Sequence, residues 1–330
     1  MRLNLYASLE HYAEHLWPIW QALPERLRGA SWSSATGKWW GEPLGGLSDA
    51  RQHPGPVLVA SHGDAVSATV RGRDLVYVEH GAGQTYGGDP AGAGAAGLSG
   101  STDRAMRHVL LFVCPNTTVA SRWRRLYDVP AVAVGCPKLD EYHPVRPKNL
   151  SRDRTVVAVT FHWDSSLLPE TMTAWPEYDG ALPVLRDWCI DHDMDLVGHG
   201  HPRIWPRIER RWAQLGVERI PLLAEVFDHA DVLVADNTSA LPEFASLGRP
   251  VVWLNASGYR RDVHHGGRFW EWPEGQVQCD HPGELTSAVA RALEDPPAVR
   301  AARARMVRAV YGETDGQAAQ RAADAIAAIL

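Results

Sequence analysis

The sequence predicts an α/β protein built from two doubly wound parallel sheets, one per domain, facing each other across a cleft. Three observations predict it. Short runs that are apolar throughout recur along the chain: PVLVA, LVYV, HVLLFVC and PAVAV, then VVAV, DLVG, DVLVA and PVVWL. A strand wet on one face alternates in polarity, whereas a run without alternation is covered on both faces, as in parallel sheets. Most of these runs lead into a helical pattern or a glycine-containing loop. The series is also interrupted once, at YHPVRPKNLSRDR between Tyr142 and Arg154, which is polar and carries two prolines. Such a break reads as a linker between domains.

Each element follows in order. A 3.6-residue apolar period predicts an amphipathic helix from near Leu9 to Leu27. A Gly, Ser and Trp-rich loop follows, and then four strands begin at Pro56, Asp74, His108 and Pro130, with a helix over TTVASRWRRLY. After the linker, strands are expected over TVVAVT, DLVG, ERIPLL, DVLVA and PVVWL, with a helix over ALPVLRDWCIDHDM and another over LPEFASLG. Two alanine-rich helices close the chain from Pro282. The expected domains are residues 1–150 on the acceptor side and 151–297 on the donor side. Residues 298–330 are expected to cross back to the first domain. No repeat of 20–50 residues is visible.

Composition bounds the function. The 330 residues suffice for two domains, and 45% apolar with 22% charged content is ordinary for a globular protein. A formal net charge of -6 argues against a surface that grips nucleic acid everywhere. Cys114, Cys136, Cys189 and Cys279 form no C-x-x-C pair, and no carboxylates cluster in metal-binding form, so no metal and no cofactor are expected. Reduced thiols and the lack of a signal-peptide pattern predict a cytoplasmic protein.

In open parallel sheets ligands bind beyond the carboxyl ends of the strands. The second apolar run ends in Glu79 and His80, followed by the glycine-rich GAGQTYGGDPAGAGAAG. A histidine fixed at a strand end beside backbone that a substrate can approach suits a general base, and the loop suits a mobile lid. An ordinary histidine bonded to backbone is the plainer alternative. The first run ends in His62 and Asp64, and the run DLVG in His199 and His201. HxH also suits a metal, with His264 and His265 as further candidates. The run DVLVA ends in Asp236, Asn237, Thr238 and Ser239, with Glu243 four residues on. Hydroxyls where a helix begins suit a phosphate, and equally suit a helix cap.

HADVLVADNTSALPEFASLGRPVVWLN resembles the nucleotide-binding segment of GT-B-fold transferases, and in particular the CDP-glycerol glycerophosphotransferase family, the teichoic-acid polymerases. UDP-N-acetylglucosamine 2-epimerases share a similar arrangement. EHGAGQTY resembles the family's Trp-His-Gly-Thr segment, GHGHP its His-Pro segment, and VGCPKLDEY its Gly-Tyr-Pro-Arg-x-Asp segment. The match covers roughly residues 55–270. The departures are Glu79 in place of the family's Trp, and Ala82, Gly83, Gln84 and Thr85 in place of its Thr-Pro-Leu-Lys.

The resemblance implies a GT-B enzyme that moves a glycosyl or glycerophosphate group from a nucleotide-diphosphate donor to an acceptor hydroxyl without a metal ion. His80 is implied as base, with Glu79 orienting it, and the rate is expected to fall below about pH 6. His201 is implied to stabilise the leaving group, with His199 as its competitor. Asp236, Asn237, Thr238, Ser239 and Glu243 are implied on the donor side. His62, Asp64 and Gln84 are the acceptor-side candidates. One rival is a nucleotide-sugar epimerase or hydrolase, whose acids would be Asp64, Glu79 and Asp103. Another is a glycosyltransferase acting on modified DNA bases, for which Trp123 with Arg122, Arg124 and Arg125 offers a small basic and aromatic patch. A third is a binding module without catalysis.

Overall fold

The computed structural model describes residues 1–33, 53–69, 72–80, 100–143, 154–164, 172–256 and 272–330. The glycine-rich loop with Gln84, the pair His264 and His265, and most of the expected linker lie outside the described residues.

The chain forms two compact units, Met1–Pro144 with Arg308–Leu330, and Val145–Val307. In the first, β1 (Leu3–Ala7), α1 (Glu10–Ala22), a 3₁₀ turn (Glu25–Leu27) and β2 (Arg28–Ser33) come first. They are followed by β3 (Val57–Val59), α2 (His62–Thr69), β4 (Leu75–Val78), α3 (Gly100–Met106), β5 (Val109–Cys114), α4 (Thr117–Tyr127) and β6 (Ala131–Ala133). A 3₁₀ turn, Pro137–Tyr142, ends this stretch.

The second unit holds β7 (Val156–Thr160), α5 (Trp175–Tyr178), α6 (Leu182–Asp191), β8 (Asp195–Gly198), α7 (Trp205–Gln214) and β9 (Glu218–Arg219). It continues with α8 (Leu223–His229), β10 (Val232–Ala235), α9 (Ala240–Ala245), β11 (Val251–Leu254), β12 (Val277–Cys279) and α10 (Leu285–Leu293). Helix α11 (Pro297–Tyr311) runs through the division between the units at Val307 and Arg308, ten residues beyond the expected boundary of 297, and α12 (Ala318–Ala327) belongs to the first.

Among the described residues both sheets are six-stranded and every pairing is parallel. The orders are β2-β1-β3-β4-β5-β6 and β12-β11-β10-β7-β8-β9. Of the runs read as doubly covered, β3, β4, β7, β10 and β11 are buried at every residue and β5 at all but Leu110, whereas β6 and β8 are buried only in part. In the first unit α1 and α12 pack on one face of the sheet, through Leu16, Ile19 and Ile326. Helices α2, α3 and α4 cover the other, through Ala65, Met106 and Trp123.

Two strands of the first sheet are absent from the sequence reading. β1 is five residues ending three residues before a helix, and its middle is broken by Asn4. That asparagine is fully buried because its Oδ1 accepts from the Ala30 amide at 3.0 Å, pairing β1 to β2. A buried amide with a backbone partner costs little and defeats an apolar pattern. The segment VGCPKLDEY is a docking element for the chain end. Gly135 has φ +97, and a Cβ there would meet the Glu313 carbonyl at 2.9 Å. Asp140 accepts from the Ala318 and Ala319 amides at 3.0 and 2.7 Å, capping the start of α12.

The strand orders fix where ligands can enter. The second sheet reverses winding direction between β7 and β10, and the first between β1 and β3. Beyond the carboxyl ends at such a reversal a crevice opens.

Candidate active site

In the first unit the reversal is marked by Asp64. Its Oδ2 accepts from the Ser8 amide at 3.1 Å, and its own amide donates to Ser61 Oγ at 3.0 Å. Burial raises the Asp64 carboxyl above its ordinary value, against the opposing bonds from Ser8 and Ser61. His62 stacks on Tyr77 at 5.8 Å, and burial lowers its imidazole to about 4.

His80 stands one strand over, two residues past the end of β4. Side chains alternate along a strand, so Val76, Val78 and His80 face α1 while Tyr77 and Glu79 face α4. The His80 ring meets Tyr12 edge-on at 4.8 Å, with His11 and His15 at 6.3 and 6.2 Å. Its Nδ1 is buried and has no hydrogen-bond partner among the described residues. Burial lowers the imidazole from 6.5 to about 4; His62 and Lys138 add to this and a bond with the Ala60 main chain opposes it. The ring is therefore neutral at pH 7 with a bare nitrogen.

The same alternation corrects the expectation for Glu79. Its Oε2 accepts from Trp123 Nε1 at 2.9 Å on the opposite face of the sheet, so it does not orient His80. The groups that line the ring come instead from α1, which carries Glu10, His11, Glu14 and His15. Sequence reasoning assigned those four residues no role; their spacing, three and four apart, was the available sign of a shared helix face.

In the second unit the reversal brings β7 and β10 side by side. Asp236 is fully buried. Its Oδ1 accepts from the His162 amide at 2.7 Å, and its Oδ2 from Thr173 Oγ1 at 3.0 Å and the Ala174 amide at 2.9 Å. Burial raises this carboxyl to about 7 while those three bonds pull it down. Both oxygens are thus committed to holding the segments after β7 and before α5. Asp236 thereby ties the end of β10 to these two segments.

Beyond the end of β8 the two histidines take different partners. His199 is buried and its Nδ1 lies 2.6 Å from Thr160 Oγ1. His201 is half-buried, and its Nδ1 accepts from the Arg203 amide at 3.1 Å. That bond makes Nδ1 the acceptor and leaves the ring hydrogen on Nε2. His162 lies 5.3 Å from His201, ring to ring. Gly198 and Gly200 between them are required by close packing, because a Cβ would meet the Trp212 ring at 2.3 Å or Ile208 at 2.7 Å. After β10, Asn237 and Glu243 are buried, while Thr238 and Ser239 are half-buried. Thr238 Oγ1 accepts from the Ala240 amide at 3.3 Å; Ser239 makes no cap bond with its side chain.

Two residues named for the rival readings lie elsewhere, while Asp64 stays at the reversal. Trp123 of the basic patch is fully buried, stacked on Phe112 at 4.5 Å, and no base can stack on it. Asp103 is bonded to Tyr127 and Arg107, away from the reversal. Among the described residues no group of three His, Cys, Asp or Glu side chains is arranged to hold a metal ion. None of the described helices is long and apolar enough to cross a membrane.

A model of the family described as CDP-Glycerol:Poly(glycerophosphate) glycerophosphotransferase matches residues 84–328, well over half of the chain. The chain belongs to this family. Membership in the glycerophosphotransferase family makes it an enzyme, a transferase of a nucleotide-linked donor. No curated protein sequence matches it. Among solved structures, the wall teichoic acid polymerase TagF, as a His-to-Asn variant soaked with CDPG, matches with a TM-score of 0.68 at 12% identity, over 99% of this chain and 88% of that one. MnaA of S. aureus with UDP matches at 0.65 and 16% identity, over 99% and 96%. A UDP-GlcNAc 2-epimerase from Methanocaldococcus jannaschii matches at 0.59 and 13% identity, over 99% and 100%. These likenesses show the fold, which is GT-B with two Rossmann-like domains.

Proposed function

We propose that the enzyme transfers glycerol phosphate, or a glycosyl group, from a nucleotide-diphosphate donor to an acceptor hydroxyl, with His80 as general base. The observation that carries this is the buried, unpartnered Nδ1 of His80 on a ring that is neutral at pH 7. A side chain that is to accept a proton must arrive without one, and a bare imidazole nitrogen fixed at a strand end does so. In the glycerophosphate case the acceptor O–H proton moves to Nδ1 while the oxygen attacks the glycerol-bearing phosphorus. The bond to the bridging oxygen breaks, and the nucleoside monophosphate leaves. In the glycosyl case attack falls on the anomeric carbon and the nucleoside diphosphate leaves.

The second unit receives the donor. His201 offers an Nε2 hydrogen to the diphosphate oxygens, where negative charge grows as the bond breaks. Thr238 and Ser239 offer hydroxyls and Glu243 a carboxylate for the ribose diol. The donor readings rest on the reversal of winding between β7 and β10 and on family membership. UDP in MnaA and CDPG in TagF name the donor classes to try first. His62, Asp64 and Gln84 are placed on the acceptor side. No metal ion takes part. Four free, buried cysteines suit a reducing compartment, and the enzyme is assigned to the cytoplasm.

The test is thermal stabilisation by CDP-glycerol and by UDP-, GDP- and TDP-linked sugars. A true donor at about a hundred times its Kd adds roughly 2.7 kcal/mol of stability. Stabilisation by none of them contradicts the donor reading.

A further inference from the structure

We propose that the buried Glu14–Lys138 ion pair is the positioning element of His80: it pins the histidine-bearing face of α1 against the ring and keeps the imidazole in its proton-accepting form. The inference rests on His80 being the base. Lys138 Nζ lies 2.8 Å from Glu14 Oε2, and the two side chains are only 6% and 13% exposed. A pair so enclosed is a poor way to gain stability, since apolar residues of the same volume serve as well or better. Its placement has a better explanation. Glu14 belongs to α1 between His11 and His15, and Lys138 to the turn that follows β6. That turn also brings Cys136 Sγ to 3.9 Å from His15 Nδ1. One strut therefore ties α1 to the turn at the level where His11, Tyr12 and His15 close over His80.

The groups facing His80 come from three directions. From α1 come His11, Tyr12 and His15, with Glu10 and Glu14 on the same helix. From the segment after β3 come the Ala60 main chain and His62. From the turn after β6 comes Lys138. Tyr77 and Glu79, on its own strand, are turned to the other face with Cys114 of β5. Within this enclosure the ammonium acts on the rings directly. After burial it is the largest influence holding His15 neutral, and it contributes to His80 in the same sense. A proton taken up by either ring in the resting enzyme would meet a second buried positive charge.

The experiment follows the His80 ring by NMR in the full chain carrying ¹³C-labelled histidine, its resonance assigned by its loss in His80→Asn. Wild type titrates near pH 4; a ring titrating at the ordinary 6.5 overturns the proposal. In Lys138→Met the midpoint rises by about one unit as water reaches the ring and the charge is lost, and Lys138→Arg restores it. Should Lys138→Met fail to fold, the double variant Glu14→Gln with Lys138→Met removes both charges together and leaves no orphaned ion. The rise expected there is smaller, because the lost carboxylate offsets the lost ammonium, and it reports the freed helix face alone. A midpoint within about 0.2 units of wild type in either folded variant, inside the smallest shift a lost buried charge would give, overturns the proposal. Transfer by His80→Ala at the wild-type rate defeats the base reading instead, and leaves the ring titration to report on the strut by itself.

Discussion

His80 in the first unit and His201 in the second end parallel strands in the same way, each followed closely by a loop, yet they arrive with opposite chemistry. The His80 Nδ1 is bare and enclosed. The His201 Nδ1 is already taken by the Arg203 amide. A ring whose Nδ1 is free can accept a proton; one whose Nδ1 is occupied can only donate from Nε2. His199, two residues from His201, shows a third outcome, with Nδ1 against Thr160 and the ring buried. A histidine at a strand end is thus not yet a catalytic statement. What the second nitrogen meets decides whether the residue is a base, a donor or a strut.

The largest expected effect comes from removing the buried Asp236 carboxylate. Asp236→Ala leaves the His162 and Ala174 amides and the Thr173 hydroxyl without their acceptor, at about 1–3 kcal/mol for each group that stays buried. Chemical denaturation should show several kcal/mol lost, and donor affinity should fall with it. A variant as stable as wild type would mean that Asp236 is not the organiser and would reopen it as a ligand contact.

Acidification separates the two regions next. His62 and His80 sit near 4 in the folded chain and near 6.5 when unfolded. Below 6.5 the unfolded chain binds protons that the folded one does not, so stability falls progressively between pH 6.5 and 4. For one such histidine the loss approaches about 3 kcal/mol. Activity follows the folded value. Its acid limb is expected near pH 4 instead of the pH 6 that an ordinary histidine predicts, as far as folding persists. A limb at 6 would mean that the titrating ring is not enclosed as His80 is.

Smaller effects probe the donor side by itself. Ser239→Ala and Glu243→Ala should each weaken binding of whichever donor stabilises the wild type by about tenfold, the value of one good hydrogen bond. Ser239→Ala should leave the Tm unchanged, because its hydroxyl caps nothing. Calorimetric titration decides this, and unchanged affinity in both would return the segment to a plain turn. Smallest of all, turnover in EDTA should equal turnover without it. Loss of activity recovered with Mg²⁺ or Mn²⁺ would bring His199, His201 and His264 back as ligands.

Much of this was legible in the sequence where burial is symmetric. Strands β3, β4, β7, β10 and β11 are buried at every position and, Thr160 apart, apolar, because both faces are covered, and no partner needs to be known to see it. β1 was not legible, because Asn4 gains its place from a bond to Ala30 in another strand. The site followed the same division. The strand-end residues His80, His201 and Asp236 were visible by position. That Glu79 turns to Trp123, and that Asp236 is committed to three donors, depends on neighbours distant in the chain. Tyr12, Glu14, His15 and Lys138 were overlooked because a helix face and a turn meet only after folding.

The central claim is a division of labour: the first unit moves the proton and the second holds the donor. Single-turnover transfer by His80→Ala at saturating donor, beside a donor titration of the same variant, tests it most directly. Transfer should fall by about 10²–10⁴-fold, or roughly 3–5 kcal/mol of barrier, while donor affinity stays at the wild-type value. His80→Asn should fail similarly, since an amide cannot take the proton. Transfer retained above about a tenth of wild type, which is less than the loss of a general base allows, would contradict the account and make His80 a structural residue.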